Sequence, residues 1–308
     1  MRTSIYLVIL ERPTSVTAMA AIYKNLPHVQ VRAFHLSAEI LNSRRMLSLM
    51  GCDDTGKMPL YLQRALTILR GMGVTDFDYD DFKNRMQAKD LNSDQRNHFQ
   101  MRIEMLDSYL TSTENSVQAY FQAGCLVIVD LRDPFMNSSM VSALFEIIVD
   151  LFTEAKIPSG KVLLLDEAHK YLGETNSCSK FTTSIVSLIR QQRHFGIRTL
   201  IATQEPTVIP HAILGLASSL IIHRFSSPAW AQHLSRHICT DDEQGETGWR
   251  HRITELRLGE AMVVAPSGLG VRESDQAVVP FSTGFIITRT RQRLTLDGGF
   301  SVTACDTR

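Results

Sequence analysis

Asp166 and Glu167 follow four consecutive aliphatic residues, Val162, Leu163, Leu164 and Leu165, themselves led in by Lys161. A short aliphatic run of this kind reads as a buried strand, which puts the two carboxylates where the strand emerges at its carboxyl end. Open α/β sheets bind ligands at that address. Two adjacent acids there suit phosphoryl transfer: the first can hold the water shell of a magnesium ion, and the second can polarise the attacking water. The plainer alternative is a strand that ends in a polar loop.

A second stretch, Thr199 to Ala202, ends in Thr203 and Gln204, 38 positions after Asp166. A hydroxyl and an amide thus fall at the corresponding strand end, where an amide can sense a γ-phosphate or hold the reacting water. Alternatively, Gln204 satisfies the loop before Pro206. Arg190 and Arg193 come just before this strand, with Phe195 and Gly196 as the turn between. Each arginine can place positive charge near a transferring phosphoryl group or simply decorate a solvated helix face. Asp130, after Val127, Ile128 and Val129, is either a strand-end cap or a further site residue.

The elements that must hold these groups alternate. From Cys125 onward the pattern predicts a strand at 126–129, a helix at 141–152, a strand at 162–165, a helix at 181–193 and a strand at 199–202. Right-handed βαβ crossovers produce this order, with parallel strands covered by helices. Upstream, residues 5–10 read as a buried parallel strand, 16–25 as a helix and 29–34 as a second strand. Ser37 is placed to cap a helix whose inner face is Ile40, Leu41, Leu47 and Met50. Residues 60–72 and 93–110 read as helices of a polar insert, with an acidic-aromatic turn from Phe77 to Phe82 leading into another helix. Downstream, 220–225, 261–265 and 285–288 suggest further strands, and 235–259 is polar, irregular or helical. The expected division is a β/α part at 1–50, a helical insert at 51–123, the main core at 124–290 and a tail at 291–308.

Composition narrows the class. The 308 residues, 44% hydrophobic, suffice for one large α/β domain or two small ones. Thirty-two Lys plus Arg balance thirty-two Asp plus Glu, so the whole-chain field gives no general attraction to nucleic acid or acidic lipid. Any DNA contact must be local. The five cysteines, Cys52, Cys125, Cys178, Cys239 and Cys305, are widely spaced, which argues against zinc and against a disulfide framework and fits a reducing compartment, cytoplasmic or nuclear. No apolar run approaches the roughly 20 residues that span a bilayer.

With these residues together, the segment from about 124 to 230 resembles the HerA–FtsK branch of P-loop ATPases, particularly HerA-like translocases. The features that carry the resemblance are Asp130 and Leu131 after a strand, then Leu165, Asp166, Glu167, Ala168 and His169 as a Walker B strand end. Arg190, Arg193, Phe195 and Gly196 follow, and Ala202, Thr203, Gln204, Glu205 and Pro206 form the sensor strand end. The resemblance implies a RecA-like core, a mainly parallel sheet with helices on both faces plus the helical insert. It also implies ATP hydrolysis with Mg²⁺, in which Asp166 assists magnesium through water and Glu167 is the general base. Thr203 and Gln204 then act as nucleotide-sensing groups, and Arg190 or Arg193 as a finger supplied to a neighbouring subunit. The partners it implies are DNA, as the translocated polymer, and further copies of the chain in a ring.

Such an enzyme needs GxxxxGK[ST] to cradle the β- and γ-phosphates. The one candidate here runs from Gly51 to Met58, with Asp53, Asp54, Gly56 and Lys57. Met58 stands where a cation-binding hydroxyl belongs, and a polar turn between two helices accounts for the same residues. In the family, the cradle precedes the material that corresponds to residues 5–10. Two expectations follow: a truncated ATPase core, or a degenerate relative that keeps the fold as a catalytically inactive binding or regulatory subunit. A DEAH-box helicase fragment, suggested by residues 166–169, fits less well, because Ala202, Thr203 and Gln204 replace the Ser-Ala-Thr motif of those helicases.

Overall fold

The computed structural model describes residues 6–11, 15–50, 60–73, 77–88, 91–111, 116–131, 138–173, 179–238, 248–271, 276–282 and 284–291. The candidate phosphate loop, Gly51 to Met58, lies outside them.

The chain opens with β1 (Tyr6–Glu11), α1 (Val16–Tyr23) and β2 (Val29–Ala33). A two-residue strand, β3 (Leu36–Ser37), follows. Ser37 does cap, but what it caps is a single 3-10 turn at Ala38–Ile40, through Glu39 N at 3.2 Å. The helix expected there starts later, as α2 (Ser43–Leu49), because the Asn42 side chain accepts from Arg45 N at 2.8 Å and makes a second start.

The next helices are α3 (Leu60–Met72), α4 (Tyr79–Gln87) and α5 (Ser93–Asp107). Asp78 caps α4 through Asp81 N, and Asn92 with Gln95 forms a reciprocal capping box on α5. β4 (Leu110–Thr111) returns to pair with β3. These helices share one apolar core with the first strands: Phe82, Phe99 and Met86 pack in the same cluster as Val8, Leu10 and Phe34.

β5 (Cys125–Val129) joins β1 on the side opposite β2, giving a parallel sheet ordered β2-β1-β5, with Leu7 opposite Val29 and Leu126. α1 lies against β2. α6 (Ser138–Glu154) packs against α2, then leads to β6 (Lys161–Leu165). After α7 (Ser179–Gln191), β7 (Ile197–Ile201) pairs in parallel with β6, Leu165 opposite Ile201. α7 turns Phe181, Ile185, Leu188 and Ile189 inward, at the spacing of one helix face, onto Leu163, Leu165 and Ile197.

The other face of this pair differs from the expectation of a strand buried on both sides. Val162 and Leu164 are 62% and 61% exposed, and Leu200 beside them is 50% exposed. In a strand, successive side chains alternate faces, and among the described residues helices cover only the Leu163–Leu165 side.

α8 (His211–Leu214), β8 (Leu220–Ile222), α9 (Pro228–Ser235), α10 (Trp249–Glu255) and β9 (Glu260–Val264) come next. A hairpin of β10 (Leu269–Val271) with β11 (Val278–Pro280) and then β12 (Ile286–Arg289) complete the described chain. β12-β9-β8 form an antiparallel sheet whose core is the fully buried Trp249 with Leu234, Ile253 and Met262. The fold is mixed α/β, with parallel strands in the part that carries the candidate acids.

Candidate active site at the carboxyl ends of two parallel strands

The parallel ladder of β6 and β7 continues past the strands themselves. Ala202 N donates to Leu165 O at 2.8 Å, and Ala168 N donates to Ala202 O at 2.9 Å. These bonds fix the two strand ends against each other, so residues 166–169 and 202–205 meet although the bonded side chains are 34 and 37 positions apart along the chain.

Glu167 adopts φ 50° and ψ 40°, left-handed backbone that a residue with a Cβ seldom occupies. Strained conformations of this kind concentrate at functional sites. The bend ends the strand and starts a 3-10 turn at Ala168–Lys170, in which Lys170 N donates to Glu167 O. Asp166 is exposed, and its Oδ1 accepts from Glu167 N at 2.9 Å.

Both oxygens of the half-buried Glu167 carboxylate have side-chain neighbours. Gln204 Nε2 donates to Oε1 at 2.5 Å, and His169 Nδ1 lies 3.4 Å from Oε2. The same His169 nitrogen is 3.4 Å from Thr203 Oγ1, which accepts from Glu205 N at 3.1 Å. Beneath this group the Tyr171 hydroxyl donates to the Asp166 carbonyl. The Tyr171 ring is held by Phe145 of α6 and Phe181 of α7, at centroid distances of 5.1 and 6.0 Å. Burial, reinforced by the charges of Asp166 and Glu167, pushes the Tyr171 phenol above its ordinary pKa, so it stays a neutral donor.

Asp166, Glu167, Thr203 and Gln204, singled out from sequence, therefore converge. Arg190 and Arg193 do not. Arg190 lies in the last turn of α7 and Arg193 sits in the turn before β7, at the strand end opposite Gln204. The five residues of β7 alone put roughly 13 Å between the two ends at ~3.3 Å per residue. Neither guanidinium has an ion pair among the described residues. Asp130 extends the β5 ladder by donating its N–H to Leu10 O.

Sequence reasoning gave no role to His169 or Tyr171. The spacing of His169 from Asp166 was visible, but only the pairing of β6 with β7 brings it to Thr203. Nothing in the sequence marks Tyr171, which depends on the aromatic seat between α6 and α7.

No known family model matches the chain, and no curated relative matches it. Among solved structures it is similar to the genome-packaging NTPase B204 from Sulfolobus turreted icosahedral virus 2 in complex with AMPPCP. That likeness has 16% identity and a TM-score of 0.39 over 58% of this chain and 73% of that one. The same NTPase with ATP-gammaS aligns over 95% of this chain and all of its own length, at 14% identity and a TM-score of 0.38. A bacterial conjugative coupling protein, TrwBdeltaN70 in complex with sulphate, aligns over 94% and 80% at 12% identity and a TM-score of 0.44. Among the described residues no helix is long and apolar enough to cross a membrane, and no group of three or more His, Cys, Asp or Glu is placed to hold a metal ion.

Proposed function

We propose that this chain is the core of a nucleoside triphosphatase of the HerA–FtsK type that hydrolyses ATP and couples hydrolysis to movement of DNA. The observation that carries the reading is the 2.5 Å bond from Gln204 to Glu167 across the carboxyl ends of β6 and β7, with Asp166 exposed beside it. It supplies an acid free to face solvent, a second carboxylate held in position and an amide on the next strand.

An exposed lone carboxylate suits a hydrated Mg²⁺ ion, which prefers oxygen donors and keeps several of its waters. Asp166 would hold it through water, and the ion would neutralise charge on the phosphates. Glu167 takes the proton from the attacking water, Gln204 fixes the carboxylate and reads the γ-phosphate, and Thr203 supports that strand end. Arg190 and Arg193, at the far end of β7, are out of reach of this site and fit a finger role toward a second copy in a homo-oligomeric ring.

The test is Mg·ATP binding and phosphate release by the full chain and by Glu167→Gln. The reading expects bound nucleotide in both, with hydrolysis lost in the variant by roughly 10²-fold or more. Equal turnover in the two proteins removes Glu167 as the base. Absence of nucleotide binding favours the second reading, an inactive binding or regulatory subunit, which Met58 in place of a cation-binding hydroxyl supports.

A further inference from the structure

We propose that His169 is a positioning residue that ties Glu167 to the end of β7 through a proton on its Nδ1 atom. The inference rests on the reading of Glu167 as the base and adds a group that neither the acid pair nor the sensor amide requires.

Thr203 Oγ1 suits either tautomer, as acceptor or as donor, so the carboxylate contact decides where the proton sits. His169 Nδ1 has two oxygens at 3.4 Å, Glu167 Oε2 and Thr203 Oγ1. A bare Nδ1 lone pair would face the carboxylate lone pairs at that distance, which is repulsive. A proton on Nδ1 makes the contact with the carboxylate attractive and lets the imidazole donate to the hydroxyl. Thr203 Oγ1 already accepts from Glu205 N, and a hydroxyl oxygen has a second lone pair for the imidazole. The backbone agrees: Ala168 N is bonded to Ala202 O, so the turn that carries His169 is anchored to the strand end that carries Thr203. Glu167, with its left-handed backbone, then has the Gln204 amide bonded to Oε1 and the His169 imidazole in 3.4 Å contact with Oε2.

A bond on one oxygen and a close imidazole on the other restrict the direction of the carboxylate, the quantity that decides whether a positioned base works. Misplacement by about 1 Å can cost up to ~10²-fold in rate. The role assigned to His169 runs through Glu167 and not through the nucleotide, so its loss should lower kcat and leave KM for ATP unchanged.

Two measurements test the proposal on the full chain. In ¹⁵N–¹H NMR of the protein without nucleotide, His169 is expected as the Nδ1–H tautomer; a proton found only on Nε2 overturns the proposal whether or not the protein hydrolyses ATP. In steady-state hydrolysis, His169→Asn places an amide N–H near the Nδ1 position and is expected to retain most of kcat. His169→Gln and His169→Ala are expected to lose roughly ten- to hundredfold. If Glu167→Gln abolishes turnover while Asn, Gln and Ala at 169 lose equally, the His169 role falls and the base assignment stands. If Glu167→Gln leaves turnover intact, the reading of the site falls instead.

Discussion

The Gln204 amide and the Glu167 carboxylate meet at 2.5 Å across 37 residues of sequence, because the β6–β7 ladder runs on through Ala202 and Ala168. Among the described residues the amide is the one side-chain donor on Oε1. Gln204→Ala removes it and is expected to lower ATP turnover by roughly 10²-fold, the size seen when one preorganised donor is lost from a reacting centre. Gln204→Glu should be worse, since it sets a like charge beside Glu167. Phosphate release measured at saturating Mg·ATP decides the point, and a variant that turns over like wild type ends the role of Gln204.

The positions of Asp166, Glu167, Thr203 and Gln204 were legible because strand ends announce themselves: an aliphatic run stops and polar residues begin. Helix spans were legible for the same reason, with α3 matching its apolar period residue for residue. Starts set by side-chain caps were harder. Ser37 and Asn42 are both good caps five residues apart, and the one that begins a lasting helix is the one whose following residues, Met46 and Leu49, reach the core. Exposure was the least legible property. A run such as Val162 to Leu165 looks equally apolar on both faces, and only the tertiary placement of α7 tells Leu163 from Leu164.

That last distinction is testable by stability. Leu165 is buried under α7, while Leu164 is 61% exposed on the opposite face. Leu165→Ala should cost about 2–5 kcal/mol in urea unfolding, through lost burial and the cavity left behind. Leu164→Thr, which puts a β-branched residue suited to a strand on the exposed face, should change stability by no more than about 0.5 kcal/mol. Comparable losses in the two variants would mean that the exposed face is covered in solution.

Lys161 looked like no more than the polar lead into β6, yet its side chain is buried and ends another element. The Nζ atom donates to Phe152 O, Thr153 O and Ala155 O at 3.3, 2.7 and 3.1 Å, satisfying carbonyls at the end of α6. The ammonium also favours the negative end of the helix dipole. Lys161→Met preserves the aliphatic stem and deletes the donors, so it should destabilise the fold by about 1–3 kcal/mol. Its effect on the site should be indirect: a lower urea midpoint with unchanged KM for ATP supports the structural role, and a normal midpoint refutes it.

Three histidines give the fold a predictable response to acid. Burial holds the His233 and His237 imidazoles below their ordinary pKa, and the neighbouring His211 and Arg236 add positive charge that lowers them further. His211 Nδ1 lies 2.8 Å from His237 Nε2, and its ring stacks on His233 at 4.3 Å, so a second proton in this group has a close positive neighbour. Burial also lowers His35, against a raising bond with the Tyr109 backbone. A base whose folded pKa lies below its unfolded value of about 6.5 binds more protons when unfolded. Stability therefore rises with pH through that window, is fully present above about pH 7.5, and falls as pH drops below about 6.5. Urea midpoints should be flat from pH 7.5 to 8.5 and decline toward pH 5.5. In His233→Gln, His237→Gln protein the decline should shrink, leaving the part due to His35. Because α9 packs against the Pro206–Val208 turn that follows Gln204, the same acidification should loosen the carboxyl end of β7 before the chain unfolds. Amide exchange at residues 203–211 should accelerate between pH 7 and 6, after correction for intrinsic rates, and unchanged protection there would separate the histidine cluster from the site.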